Sequence, residues 1–497
     1  MSNSNKLLTN YLSTILQPLE QLSFALIILL VVQALFTISN DIVVSKFLLL
    51  AVPVSTFLLF VLTASRLLKK SFAAFFTPIP IFLVWSAIIF GIGPLYQWMA
   101  PDTAERLSVS IFSDDPLKFA WVALLNTVGL LLTVFCIHSF LRIWLFNIHR
   151  RGLFGHSVTS STGSFPANQY TTIYKKAIFA TGYIALGLCF VYRILDYLTS
   201  STFVLPDSFS FLARTGWAAI FFLSIVGASN NRFHLIVASL MLVIESALGL
   251  INGMRSDTIV PFIMFLIGYY IGSRSSKIFV LGLPLIASLL ILITPVVYYV
   301  RVHTWGGPSE GVGSSAITQL IVEESRESFE TDSILFAIWR RLDYSPWQES
   351  LMQLYDQGAP GNTYRYVIWG FVPRLLFPSK PRLEVGTDIG YAVQGVIQAS
   401  SFSGTVYGEM YWNGGWLYLL ICSPVYGILM GLVTIICLFL FDQGGPLSLL
   451  IAFNGLLYGF SADQSFSVGV IGKTLSFLGL FLAYIISRNF RLFTRDA

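Results

Sequence analysis

The chain has 497 residues, of which 55% are hydrophobic, 15% aromatic and 11% charged, with a mean hydropathy of +0.74. Soluble domains carry about 25% charged residues, so this composition excludes a water-soluble enzyme and a disordered chain. The net charge of +5 is too small and too dispersed for nucleic acid to be the natural partner.

What remains is an all-α polytopic membrane protein. A bilayer core needs roughly 20 apolar residues per helix. Runs of that kind fall near 21–39, 43–65, 78–98, 119–141, 176–195, 209–228, 233–252, 257–273, 278–300, 415–441, 446–462 and 466–487, which predicts twelve spans. The weakest are 209–228, which holds Arg214, and 257–273, which is short. The N-terminus lacks the basic stretch and small-residue cleavage site of a removable leader, so the first run reads as a retained span. Cys136, Cys189, Cys422 and Cys437 all lie in apolar runs, without metal or disulfide spacing, and read as small core residues.

Orientation follows from lysine and arginine in the short loops. Arg66, Lys69, Lys70, Arg142, Arg150, Arg151, Lys175, Lys176, Arg232, Arg274, Lys277, Arg488, Arg491 and Arg495 all fall on one side if twelve spans alternate. Both termini are then cytoplasmic, and a long segment, 301–413, lies on the outer face. It contains 12 of the 25 acidic and 8 of the 30 basic residues, with several tryptophans and tyrosines, so it reads as a folded cap and not a linker. The stretch 317–355 has apolar residues at helical spacing, and the Gly/Pro-rich run 357–390 reads as an ordered loop. The predicted organisation is nine spans in 1–300, the cap in 301–413 and three spans in 414–497.

Charges at the outer membrane boundary are the informative ones. Arg255, beside Gly253 at the end of the seventh span, fits a guanidinium fork that grips a lipid diphosphate. Its competing reading is a snorkelling or Asp257-paired arginine. Arg301 and His303 open the cap at the same predicted height. Arg301 can join the same anion, while His303 is either a general base for a sugar hydroxyl or a hydrogen-bonded surface residue. The run 364–386 sets Arg365, Arg374, Lys380 and Arg382 among aromatic rings, including Trp369, and three prolines. Cations beside rings suit a sugar phosphate, and the alternative is headgroup anchoring. Glu409 reads equally as a group that orients an arginine or accepts a proton, and as a capping charge at a helix start.

Within the predicted spans, Arg193, Arg214, Glu245 and Lys473 are costly unless paired. A buried Glu245–Lys473 pair is one account of them; an ion pathway is another. Arg193 and Arg214 flank one short outer loop and are also candidates for a phosphate-binding rim. The chain has no phosphate-binding GxxxxGK[ST] loop, HExxH, CxxC pair, GxSxG or DxD-like cluster, so the expected chemistry uses no nucleotide, metal or covalent serine.

Together, Gly253 and Arg255 at the end of a mid-chain span, a long outer loop, a PR-x₃-P-x-KP segment (Pro373, Arg374, Pro378, Lys380, Pro381) and a T-x₃-E-x-Y-x-N-x-G segment (Thr405, Glu409, Tyr411, Asn413, Gly415) resemble the Wzy-type oligosaccharide repeat-unit polymerases of bacterial inner membranes. The likeness covers roughly 245–440 in motif and the whole chain in topology. It implies a membrane glycosyltransferase of the C-type fold that uses no metal or cofactor. Donor and acceptor would be glycans on undecaprenyl diphosphate, with a chain-length regulator protein as a further partner. It implies leaving-group stabilisation by Arg255 and Arg374, with Arg301 in support, and a base that is either His303 or Glu409. The related O-antigen ligases carry an outer-loop histidine with a following glycine pattern; here His303 precedes Thr304, so that pattern is not met. Competing expectations are a lipid-oligosaccharide flippase or other secondary transporter, a ligase, and a non-catalytic scaffold.

Overall fold

A computed structural model describes residues 4–38, 42–70, 73–99, 116–150, 167–199, 212, 214–251, 255–275, 342–370, 385–394 and 403–493, together with positions 277, 278, 282, 284–286, 288, 289, 339, 372, 377, 380 and 383. Among these residues every regular element is helical. The elements are α1 (Ser4–Ile38), α2 (Ile42–Lys70), α3 (Pro78–Ser86), α4 (Leu95–Met99), α5 (Pro116–Arg150), α6 (Ala167–Thr199), α7 (Thr215–Asn230), α8 (Arg232–Ile251) and α9 (Arg255–Ser273). After them come α10 (Ser345–Asp356), α11 (Arg365–Gly370), α12 (Val385–Gln394), α13 (Thr405–Gln443), α14 (Pro446–Leu457) and α15 (Ile471–Phe493). Eight helical stretches are long and apolar enough to cross a membrane: Leu12–Leu35, Leu50–Lys69, Pro78–Gln97, Lys118–Asn147, Lys175–Leu195, Arg232–Ile251, Thr405–Gln443 and Phe466–Asn489. Thr215–Ser229, Asp257–Ser273 and Pro446–Ser461 are shorter apolar helices, and most of the expected span at 278–300 lies outside the described residues.

The chain divides into two compact units. The first comprises 1–167, 340–443 and 451–497. Its axis is α5, packed between α1 and α13. The α5–α13 crossing is close because small residues line it. Gly129 lies under the Tyr407 ring, while Gly427 and Gly431, one turn apart on α13, face Thr133 O and Phe140. Such small-x₃-small spacing lets membrane helices approach until backbone meets side chain. Tyr407 adds a hydrogen bond with Thr133 Oγ1 at 3.1 Å and a ring contact with Phe90 at 5.5 Å.

Irregular helical turns occur at two places in this unit. A π-helical turn at Ala87–Ile92 separates α3 from α4. A 3-10 turn at Tyr458–Ser461, a tight connection and a π-helical turn at Phe466–Val470 separate α14 from α15. Backbone of this kind requires partners from the surrounding protein. Here Ser461 Oγ meets Tyr426 OH at 2.7 Å, and Thr474 Oγ1 donates to Tyr458 OH at 3.0 Å.

The second unit comprises 168–339 and 444–450. Helix α7 is apolar on all sides and packs against both α8 and α9, with Ala218 through Ile225 buried throughout. Gly268 and Gly272 of α9 rest on the Phe221 and Ile225 carbonyls. This burial explains how a helix too short to count as a span is nevertheless strongly apolar. All four cysteines are unbridged.

Two expectations need correction in the long inter-span segment. The run 357–390 is not loop throughout, since α11 and the start of α12 fall inside it. Trp412, near the end of the segment, completes a small core with Leu351, Tyr366, Val385 and Ile389. The described helix within 317–355 is α10, and residues 317–338 lie outside the description. Helix α13 also crosses the expected cap–span boundary, with non-helical backbone at Gly414 and Gly415.

Gly415 has φ 61° and ψ −153°, a region essentially restricted to glycine. A Cβ there would come within 2.6 Å of the Tyr355 ring. Gly415→Ala is expected to cost about 1–3 kcal/mol from backbone strain alone and to lower Tm in detergent. Gly472→Ala, in a helix with open space around its Cα, is the control and is expected to leave Tm unchanged or slightly raised.

Candidate functional site

The first turns of α13 carry the T-x₃-E-x-Y-x-N-x-G residues, and all five engage the 345–364 stretch. Thr405, Glu409 and Asn413 are spaced by four, so a helix sets them on one face. Thr405 Oγ1 accepts from Gln348 Nε2 at 2.8 Å. Glu409 accepts from Thr363 Oγ1, and Asn413 Nδ2 donates to Thr363 Oγ1 at 2.8 Å while its Oδ1 accepts from Thr363 N at 2.9 Å. Tyr411 OH donates to Asp356 at 3.0 Å, and Gly415 lies against Tyr355. Gln348 also forms a reciprocal carboxamide pair with Asn126 of α5, at 2.6 and 2.9 Å. Thr405 is a β-branched residue at φ 62°, strain held in place by these contacts.

Glu409 is fully buried. Besides Thr363, its carboxyl group accepts from Ser467 Oγ and from the backbone N–H groups of Phe466 and Ser467. Those N–H groups open the π-helical turn that leads into α15, where a helix start favours negative charge. Glu409 is therefore a capping charge, as one sequence reading held, but for α15 and not for its own helix. Buried and hydrogen-bonded in this way, Glu409 ties the 357–364 stretch to the start of the π-helical turn.

Two further carboxyl groups, which sequence reasoning did not single out, are held by hydrogen bonds; Asp343 is buried and Asp463 half-buried. Asp463, in the connection before α15, accepts from Trp85 Nε1 at 2.9 Å, and its carbonyl accepts from Ser403 Oγ. Burial raises its pKa, against the pull of the Trp85 hydrogen bond and the Lys473 charge. Asp343 accepts from Gln97 Nε2 at 2.6 Å and from Ser345 N at 3.0 Å, holding α4 to the start of α10. Burial pushes its pKa up to about 6, partly offset by those hydrogen bonds.

The intramembrane charges find partners other than those expected. Glu245 bonds Arg193 at 2.9 Å and accepts from Cys189 Sγ, so the Glu245–Lys473 pair is replaced by an Arg193–Glu245 pair. Lys473 lies within electrostatic reach of Asp463, and Arg214 within reach of Asp257.

Of the other predicted site residues, Arg365 is exposed. It donates to Tyr366 OH at 3.0 Å, lies over that ring and sits 3.6 Å from Asp388. Trp369 is half-buried, and Lys380 Nζ donates to Val372 O at 3.0 Å. Arg301, His303, Arg374 and Arg382 lie outside the described residues, as does the side chain of Arg255, whose backbone begins α9. A small crevice where α2, α5 and the start of α10 meet is lined by Thr56, Asn126, Thr127 and Ser345 among apolar groups, and it is far too small for a sugar or a lipid headgroup.

Eight membrane-length apolar helices among the described residues, where every regular element is helical, make this a polytopic helical membrane protein. Comparison with protein-family models, curated proteins and solved structures finds no match.

Glu409→Ala is expected to leave the Thr363, Phe466 and Ser467 donors unpaired, at about 1–3 kcal/mol each where water cannot reach them. The 357–364 stretch should then be cut faster in limited proteolysis, while Glu409→Gln, which keeps an acceptor, retains part of the protection. Asp343 gives a pH test. A carboxyl whose folded pKa lies above its unfolded value near 3.8 destabilises the fold when ionised, so stability should rise as pH falls from about 6 toward 4. Asp343→Asn is expected to flatten that part of the Tm–pH curve.

Proposed function

We propose that the chain joins undecaprenyl-diphosphate-linked oligosaccharide repeat units at the outer face of the bacterial inner membrane. An acceptor hydroxyl attacks the donor's anomeric carbon, the bond to the diphosphate breaks, and the electron pair leaves with undecaprenyl diphosphate. Arg255 and Arg374 hold the charge that grows on this leaving group, with Arg301 in support, and His303 takes the hydroxyl proton. Preorganised cations of this kind commonly supply the largest part of a rate enhancement. Arg365, Lys380, Arg382 and Trp369 contact sugar and phosphate. Twelve spans, two cytoplasmic termini and a periplasmic cap belong to this reading.

The observation that carries it is the docking of the long inter-span segment. All five motif residues on α13 hold the 345–364 stretch, immediately before the basic-aromatic run. A segment fixed in this way supports chemistry performed against a rigid wall, and a transporter has no need of it. The buried Arg193–Glu245 pair is the one feature that favours a flippase or another secondary transporter.

Arg255→Ala and Arg374→Ala are each expected to slow polymerisation by about 10²–10³ and to leave single-repeat glycans at the cell surface, with export intact. Long chains from both variants would refute the assignment. Loss of surface glycan altogether would favour the flippase.

A further inference from the structure

Helix α11 is apolar on two opposite sides. Tyr366 is buried in the segment's small core, and Ile368, two positions on and so about half a helical turn away, is 72% exposed. No other large hydrophobic side chain among the described residues is as exposed. Phe377 is 52% exposed. Val372 N donates to Trp369 O at 3.2 Å, Lys380 Nζ to Val372 O at 3.0 Å and Lys380 N to Phe377 O at 3.0 Å, so these described residues stay close to the end of α11.

The position of α11 says what covers these groups. It packs against Phe466–Val470 and α15, the start of the membrane-length stretch Phe466–Asn489. Tyr364, directly before α11, stacks on Tyr418 of α13 with centroids 5.4 Å apart and 8° between planes. Tyr418 is flanked by Leu417, Leu420 and Ile421, all exposed on a membrane-length helix and so facing lipid. The apolar surface of that span therefore continues through the tyrosine pair to α11. Arg365 and Lys380 flank the patch, where they meet the phosphate of a lipid-linked substrate at the same level as a lipid headgroup, and half-buried Trp369 is a residue type enriched at this boundary.

We propose that α11 rests on the lipid bilayer, with Ile368 and Phe377 entering the boundary between headgroups and acyl chains. The occupant of the patch is the surface of the membrane that the spans cross. Shallow insertion of an apolar face beside cationic side chains is how interfacial helices bind.

The test uses the full chain in vesicles of phosphatidylethanolamine and phosphatidylglycerol. A nitroxide is attached at Ile368→Cys or Phe377→Cys, with exposed Gln357→Cys as the water-facing reference and the parent chain treated identically to supply the native-cysteine background. Relaxation by oxygen, which concentrates in lipid, is compared with relaxation by a water-soluble nickel chelate. The expected result is a several-fold preference for oxygen at 368 and 377 relative to 357. A chelate preference matching that at 357 would place the patch in water and overturn the proposal. Protection from both agents would mean a protein covers it, a second copy or another partner, and would overturn it equally.

Discussion

A carboxyl group taken out of water must be given hydrogen-bond donors, and the first unit is organised around one such group. Glu409 collects Thr363 from the long segment and Ser467 with two backbone N–H groups from the start of α15. Three stretches distant in sequence are thereby fixed to one point. None of the donors can withdraw without leaving a buried charge or an unpaired amide, either of which costs far more than an exposed contact returns. Asn413 closes the arrangement by binding Thr363 through both its donor and its acceptor. The local backbone conforms to this demand, including Thr405 in a conformation that β-branched residues avoid.

The break at Gly414 and Gly415 divides α13 by task. Before it, almost every side chain is buried, with Thr405, Glu409, Tyr411 and Asn413 turned toward α10 and the 357–364 stretch. After it, Leu417, Leu420 and Ile421 are exposed in the manner of a lipid-facing helix. A continuous α-helix would carry one periodic pattern through both halves. The change of backbone direction lets a docking surface and a membrane span follow each other without compromise in either.

Much of this was legible in the sequence because span-forming runs are long and the bilayer leaves the backbone few choices. Most helices lie where apolar runs predicted them, and α7 and α9, expected to be weak spans, are short apolar helices. The T-x₃-E-x-Y-x-N-x-G spacing was readable as a unit, but its work was not. Glu409 looks the same in sequence whether it faces a substrate or the start of another helix. Its donors were invisible because Thr363 and Ser467 are ordinary residues made important only by tertiary proximity. Asp463 was hidden in a three-residue connection, and Asn126, a carboxamide inside an apolar run, was the one overlooked signal available beforehand. Ion pairing was misread for a related reason: Arg193 and Glu245 are brought together by the packing of α6 with α8, which spacing along the chain does not encode.

The separation between Glu409 and its donors also imposes an order on biogenesis. Thr363 is synthesised before Glu409, but Phe466 and Ser467 arrive 57 and 58 residues later, just ahead of α15. Until α15 enters the membrane, the carboxyl group lacks most of its partners and the long segment cannot close fully on α13. Helix α15 thus completes a surface laid down much earlier. A nascent chain stalled before α15 would present an undocked segment and an unmatched acid, a form that cellular quality control can distinguish from the folded chain.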